Sequence, residues 1–406
     1  MSQKVSKSVS EESQNSIRKQ WLTVIAGAIL MLSFGGLYAW SVLVPSLQQF
    51  TGASLTSLSA VFSVAVISFT IAMVVGPSFY YRFDASTTTI GIYIIAAVGF
   101  MIVAVGKSVW WLGAGYGILF GTASGIGYSM ALQSVSSTVI TRRGLAIGFV
   151  VACYAFGTVL WVPIFSYTIE ILDVSGALIA VAVIFLLIAL VVSKLLSVAK
   201  VDLPRVNSRL DHSTFYVLRQ RCFWLLWGEF FCIAVVGLGM IGHAAGLVAA
   251  TGGRIEQTTI GASLIALTNG LGRLSTGWFC DRLSIKLVLI IIPLLGTVGL
   301  VLLIFWTSPH ATLLALGLVG YTYGCIASAI PMGIVHYYGV NATSYVFGRI
   351  ITAWGAASLV GPLLTGWLFD ITGEYRVTLI GSLVISIIGS LIGTMLPHRS
   401  AIAISK

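Results

Sequence analysis

The sequence predicts an all-α membrane protein of twelve transmembrane helices in two six-helix bundles, with N- and C-termini cytoplasmic. Three observations point there. Only 8% of the 406 residues are charged while 58% are hydrophobic, far from the roughly one-quarter charged residues of a soluble domain. About twelve apolar stretches follow one another, each near the ~20 residues that a spanning helix needs. The longest polar interval, 195–221, falls after the sixth stretch and leaves halves of equal size.

Residues 1–20 are polar and read as a cytoplasmic tail. Span 1, 21–45, opens at Trp21; it is too long for a signal peptide and lacks a small-residue cleavage site. Spans 2 to 6 follow at 57–80, 88–106, 110–139, 144–165 and 174–194, completing an N-terminal bundle over 21–195. A linker over 196–221 carries Lys200, Arg205, Arg209, Arg219 and Arg221. Spans 7 to 12, at 222–247, 258–280, 287–307, 311–337, 346–368 and 377–397, form a C-terminal bundle over 222–397, and 398–406 is a second cytoplasmic tail.

Formal charge is +10, which in a soluble chain would suggest a nucleic-acid partner. Read loop by loop, eighteen of the 22 Lys and Arg fall on segments that are cytoplasmic if the N-terminus is inside, and only Lys107, Arg254 and Arg376 fall outside. The bias orients the chain and accounts for its basicity with a lipid bilayer and no nucleic acid. The five cysteines lie in or beside apolar segments without metal spacing and read as small core residues, so neither a metal nor a cofactor is expected.

Small residues such as Gly121, Gly125 and Gly127, or Gly348 followed by Thr352 and Ala356, are placed to let helices approach closely. "GTASGIG" at 121–127 looks like a nucleotide loop, but it lies inside a span with no strand before it and reads as packing. Equal halves suggest a duplication. "GWFCDRLSIK" after span 8 has a weaker counterpart, "GPSFYYRFDAS", after span 2. Parallel six-helix repeats are a transporter architecture, with the ligand held at their interface.

Two charged residues fall well inside the spans, Arg273 and Glu229. Arg273 is roughly 12 Å deeper than Asp281, near the middle of a core about 30 Å thick. Insertion there costs about 3 kcal/mol, and a guanidinium cannot escape by losing its proton. It needs an acid partner, for which Glu229 is the charged candidate in the bilayer, or an anionic ligand, for which its planar fork is suited. Asn269, one turn earlier, can orient the guanidinium or meet the ligand. Glu229 could carry a proton, or reach the headgroups or Arg221. His243, at the outer end of span 7, titrates in the right range for proton coupling, or is simply a polar helix end. Tyr38, Trp40, Tyr128, Tyr154, Tyr321, Tyr323 and Trp354 sit in mid-span, away from the interfacial belts, and either line a small cavity or belong to the core.

"TRRGLAIGFVVACYAFG" at 141–157 is similar to the signature of the monocarboxylate and oxalate/formate branch of the major facilitator superfamily: a basic pair, Arg142 and Arg143, then Leu-Ala-x-Gly and spaced small residues. "GGLYAWSVLVP", "GIGYSMALQ" and "GRLSTGWFCDRL" also fit, and the resemblance covers all twelve spans. It implies that Arg273 binds a substrate carboxylate and that Tyr38 and Tyr128 line the cavity; Asn269, Tyr323 and Trp354 are further candidates there from their own positions, and Gly277, Asp281 and Arg282, with Arg142 and Arg143, are read as conformational-switch loops. Departures are visible. Trp354 stands where oxalate exchangers have a lysine, Val42 and Asn269 where animal monocarboxylate carriers have a lysine and an aspartate, and Tyr81 replaces the loop acid after span 2.

The resemblance implies a secondary carrier for a small monocarboxylate of the lactate or pyruvate class, moved with H+ by alternating access. One cation matches one anionic group, and a co-transported proton would make the loaded cycle neutral. A multi-pass protein of the cell inner (plasma) membrane, acting as a monomer, is expected. The alternatives are an oxalate/formate-type exchanger, a drug exporter, which Arg273 disfavours by repelling cationic cargo, and a carboxylate receptor. No HExxH or GxSxG pattern supports an enzyme.

Overall fold

The computed structural model describes residues 2–80, 82–139, 143–201, 217–280, 282–338 and 343–397. Its elements are α1 (Ser2–Phe34), a 3-10 turn (Gly35–Ala39), α2 (Trp40–Thr51), α3 (Leu55–Tyr80), α4 (Ala85–Val105), α5 (Val109–Leu112), a π-helical stretch (Gly113–Phe120), α6 (Gly121–Thr138), α7 (Arg143–Ala199), α8 (Arg221–Ala250), α9 (Ile255–Cys280), α10 (Ile285–Phe305), α11 (Pro309–Tyr338), α12 (Thr343–Thr372) and α13 (Arg376–Thr394). Among the described residues nine helices are long and apolar enough to cross a membrane. The polar first twenty residues continue into span 1 as one helix from Ser2.

The two halves repeat in a register of 200 residues. α3 begins at Leu55 and α9 at Ile255; α4 spans Ala85–Val105 and α10 Ile285–Phe305. Left-handed turns recur at Gly52 and Gly252, and at Asp173 and Gly373. α7 is therefore two helices joined at Asp173, as the separate spans 144–165 and 174–194 anticipate. An aspartate tolerates φ 64° there because its Oδ1 accepts the Gly176 N–H at 2.8 Å.

The turns that open α4 and α10 also correspond. Asp84 accepts the Thr87 N–H at 3.0 Å and Thr87 Oγ1–H at 2.6 Å, while Ser284 accepts the Leu287 N–H at 3.3 Å. These bonds satisfy donors that a helix start leaves free, and those from Thr87 hold the Asp84 carboxyl below the usual carboxylate range. A depressed folded-state pKa contributes stability that is present above the ordinary carboxylate value and is lost as pH falls through the lowered one. Asp84→Ala is expected to cost about 1 kcal/mol. Thermal midpoints in detergent at neutral pH and below pH ~3 check this: the deficit should shrink in acid, and an equal deficit at both would refute it.

Glycines set the close crossings. A Cβ on Gly121 or Gly125 would stand 2.4 and 2.2 Å from the Ala65 and Phe69 carbonyl oxygens, so "GTASGIG" is the face on which α6 meets α3. Gly348 does not act this way, contrary to the sequence expectation: nothing lies within 4 Å of its added Cβ, and Gly355 and Gly361 make the contacts of α12 instead.

Span 1 is broken rather than continuous. Gly35 presses α1 so closely onto α7 that a Cβ would lie 2.0 Å from the Tyr154 carbonyl oxygen. Carbonyls around the 3-10 turn are met by side chains: Trp161 Nε1 donates to Leu32 at 3.1 Å, Thr158 Oγ1 to Gly35 at 2.7 Å and Tyr116 OH to Leu37 at 3.0 Å. Irregular backbone at membrane depth persists only when its polar groups find such partners. The turn carries Tyr38.

Candidate functional site

The halves meet mainly where α3 packs along α12 and α7 along α9. Between them lies a cavity of about 50 Å³, lined by Arg273, by the aromatic residues Tyr38, Phe69, Tyr128, Tyr154, Phe230, Tyr323, Phe347 and Trp354, and by Met73, Ala327 and Ile351.

Arg273 is 8% exposed. Its Nε donates to Asn269 Oδ1 at 3.0 Å, and one terminal nitrogen reaches the Val151 carbonyl of the other half at 3.4 Å. No carboxylate is among these partners; the ion pair with Glu229 that the sequence left open is not formed. Asn269 is fully buried behind the guanidinium and does not line the cavity; it aims the fork. A fork held at its root with no counter-ion presents its remaining N–H groups to an anion.

The cavity wall is a hydrogen-bonded aromatic chain. Trp354 Nε1 donates to the Tyr323 hydroxyl, which lies 3.1 Å from the Tyr38 hydroxyl of the other half. Tyr154 packs edge-on against Tyr38 and Tyr128, with centroids 5.5 and 5.3 Å apart, and its hydroxyl lies 2.9 Å from Ser124 Oγ. Pro331 has no N–H, so the carbonyl of Ala327, four residues earlier on the cavity wall, lacks its helical donor.

Of the sequence candidates, Arg273, Tyr38, Tyr128, Tyr323 and Trp354 come together here. Tyr154 joins them, opposite Trp354 in the 200-residue register, as Met73 is opposite Arg273. Trp40 is core, stacked on Phe62 and tilted on Tyr116, and Tyr321 pairs with Ser275 at 2.8 Å. Phe69, Met73, Phe230, Phe347 and Ile351 were not anticipated. Apolar residues in an apolar span carry no signal of facing a cavity.

The sequence alternative in which Glu229 reaches the headgroups or Arg221 is not what the structure has: Glu229 is fully buried, and both carboxyl oxygens lack a hydrogen-bond partner among the described residues. His243 is no exposed helix end. At 3% exposure, its Nε2 lies 3.2 Å from both Ser59 Oγ of the other half and the Pro362 carbonyl. Two further joints tie the halves at this end. Asp370 accepts the Thr56 N–H at 2.7 Å, and Ser63 Oγ donates to the Ser358 carbonyl, whose helical donor Pro362 removes. At the opposite end Arg282 lies 4.1 Å over the Trp278 ring, and Gly277 meets only Met332, 3.8 Å from its added Cβ. Asp281 and Arg142 lie outside the described residues, as does the side chain of Arg143.

A polytopic helical fold, repeated 200 residues on and holding between its repeats a cation with no acid partner among the described residues, has the architecture of a membrane transporter. The chain belongs to the Major Facilitator Superfamily, whose sequence profile it matches over residues 23–341 and again over 230–404. It is similar to the uncharacterized MFS-type transporter YhjX of Escherichia coli (strain K12), 23% identical over 347 residues, which cover 84% of this chain and 86% of that one. It is also similar to the oxalate:formate antiporter of Oxalobacter formigenes, 23% identical over 359 residues (86% and 85%), and to human monocarboxylate transporter 11, 25% identical over 407 residues (93% and 83%).

Proposed function

We propose that the chain is a secondary transporter of a small monocarboxylate of the lactate or pyruvate class, moved with H+ across the cell's plasma membrane by rocking of two six-helix bundles, 21–195 and 222–397, with both termini cytoplasmic. The observation that carries this reading is the guanidinium of Arg273, aimed by Asn269 and facing a small aromatic cavity with no acid beside it. One carboxylate neutralises it. The Tyr38 and Tyr323 hydroxyls share one hydrogen bond, which leaves the pair one O–H to donate to a second oxygen of the cargo, and the rings accept its short apolar part. The 200-residue register supports twelve spans, and the joints at Ser59, Ser63 and Asp370 are contacts that break when that end opens.

One observation favours exchange of anions of the oxalate or formate kind instead: among the described residues lining the cavity there is no Asp, Glu or His to carry the proton. Trp354, in place of a second base, weighs against a dicarboxylate. Uptake of labelled lactate, pyruvate, formate and oxalate into proteoliposomes, with and without an inward proton gradient, separates the readings. Saturable lactate or pyruvate uptake that rises with the gradient is expected; oxalate or formate movement that requires anion inside and ignores the gradient would replace the symport reading. Glu229→Gln and His243→Ala are each expected to reduce gradient-driven accumulation while exchange persists. Full accumulation in both variants would remove both residues from proton coupling.

A further inference from the structure

A second recess, of about 410 Å³, opens at the end of the molecule that bears the turns at Gly252 and Gly373. It lies between the ends of α8 and α10 and the starts of α11 and α13, and its size falls in the range of about 300–1,000 Å³ typical of small-molecule sites. The internal repeat provides a control. At the corresponding place in the first half, Val103, Leu112 and Val174 line an apolar gap of only about 10 Å³. The residues 200 positions later, Leu303, Thr312 and Glu374, line the recess. Two apolar walls have thus become polar. The rim differs as well: the Trp111 ring lies against Gly106, where an added Cβ would come within 2.2 Å of it, whereas the equivalent positions 200 residues later hold Ala311 and the exposed Trp306.

The rim holds one charge of each sign. Glu374 and Arg376 are both exposed, flank Tyr375, and form no ion pair with each other or with any other described residue. Opposite charges that leave each other unpaired at a cavity mouth suit a ligand that is itself zwitterionic. Phe305, a wall of the recess, is 73% exposed, and its neighbour Trp306 is 61% exposed. Exposed aromatic residues at a span end mark headgroup depth, so the mouth faces the lipid boundary.

We propose that this recess binds a zwitterionic phospholipid, its phosphate on Arg376, its ammonium on Glu374 and its glycerol and upper chain against Leu303 and Phe305. An anionic headgroup would satisfy Arg376 but set like charge against Glu374. A water-borne zwitterion would make no use of the apolar wall. The assignment is independent of the cargo.

The test is native mass spectrometry of the full chain, delipidated in detergent and offered dioleoyl phosphatidylethanolamine, dioleoyl phosphatidylglycerol or soluble phosphoethanolamine. Preferential retention of phosphatidylethanolamine is expected. Glu374→Gln and Arg376→Gln should each lower it about threefold to fivefold, the scale of a partly exposed charge contact. Thermal midpoints of the same samples establish that the variants are folded. Equal retention of the two lipids, retention unchanged in both charge variants, or equal occupancy by phosphoethanolamine would each overturn the assignment.

Discussion

Arg273→Gln is expected to abolish saturable carboxylate binding and uptake in a protein that remains folded. The side chain contributes the single positive charge of the cavity, and the ligand's carboxylate would be left buried without a counter-charge, a loss of about 2–5 kcal/mol. That corresponds to a fall in affinity of roughly 30-fold to several thousand-fold. Stability should not fall in parallel, because the change also removes the cost of about 3 kcal/mol for holding a guanidinium at this depth. Arg273→Lys keeps the charge but loses the Nε–H bond to Asn269 and the fork that grips two oxygens, so it too should lose binding. Equilibrium binding of labelled lactate or pyruvate in detergent, with the thermal midpoint of the same sample, measures both quantities. Wild-type-like uptake by the glutamine variant would remove Arg273 from the site.

Gly324→Val should destabilise the protein by about 3 kcal/mol or more and eliminate transport. A Cβ at Gly324 would stand 1.9 Å from the Asn269 carbonyl oxygen, and one at Gly272 would stand 2.2 Å from that of Tyr321. α9 and α11 therefore touch backbone to backbone at the level of the cavity, with Arg273 on one and Tyr323 on the other. Neither main chain can retreat without moving the cation or the hydroxyl it faces. Gly348→Ala is the companion measurement. Its open surroundings predict a gain of up to about 1 kcal/mol from helix propensity alone. Detergent melting curves and size-exclusion profiles of the two variants test the contrast, and a Gly324→Val protein as stable and active as the parent would refute the crossing.

Much of the molecule was legible beforehand. The all-helical, membrane-spanning character and the isolation of Arg273 follow from hydropathy and charge, which each residue carries wherever it sits. The break of span 1 at Gly35 was not, since two glycines in an apolar run are compatible with a straight helix; only the Tyr154 backbone beside them shows why the helix gives way. Gly121 and Gly348 both open small-residue patterns and have opposite roles.

The sequence by itself determined that this is a polytopic membrane protein with one stranded cation in its second half. Only the tertiary structure decided that Tyr154 and Trp354 face that cation while Trp40 and Tyr321 do not, that His243 ties the halves together, that Glu229 is left without a partner, and that one repeat is plugged where the other is open. The physical reason is that a helix bathed in lipid is apolar on every side. No hydrophobic stripe records which face turns inward, and that rotation is set by close contacts between backbones far apart in the chain.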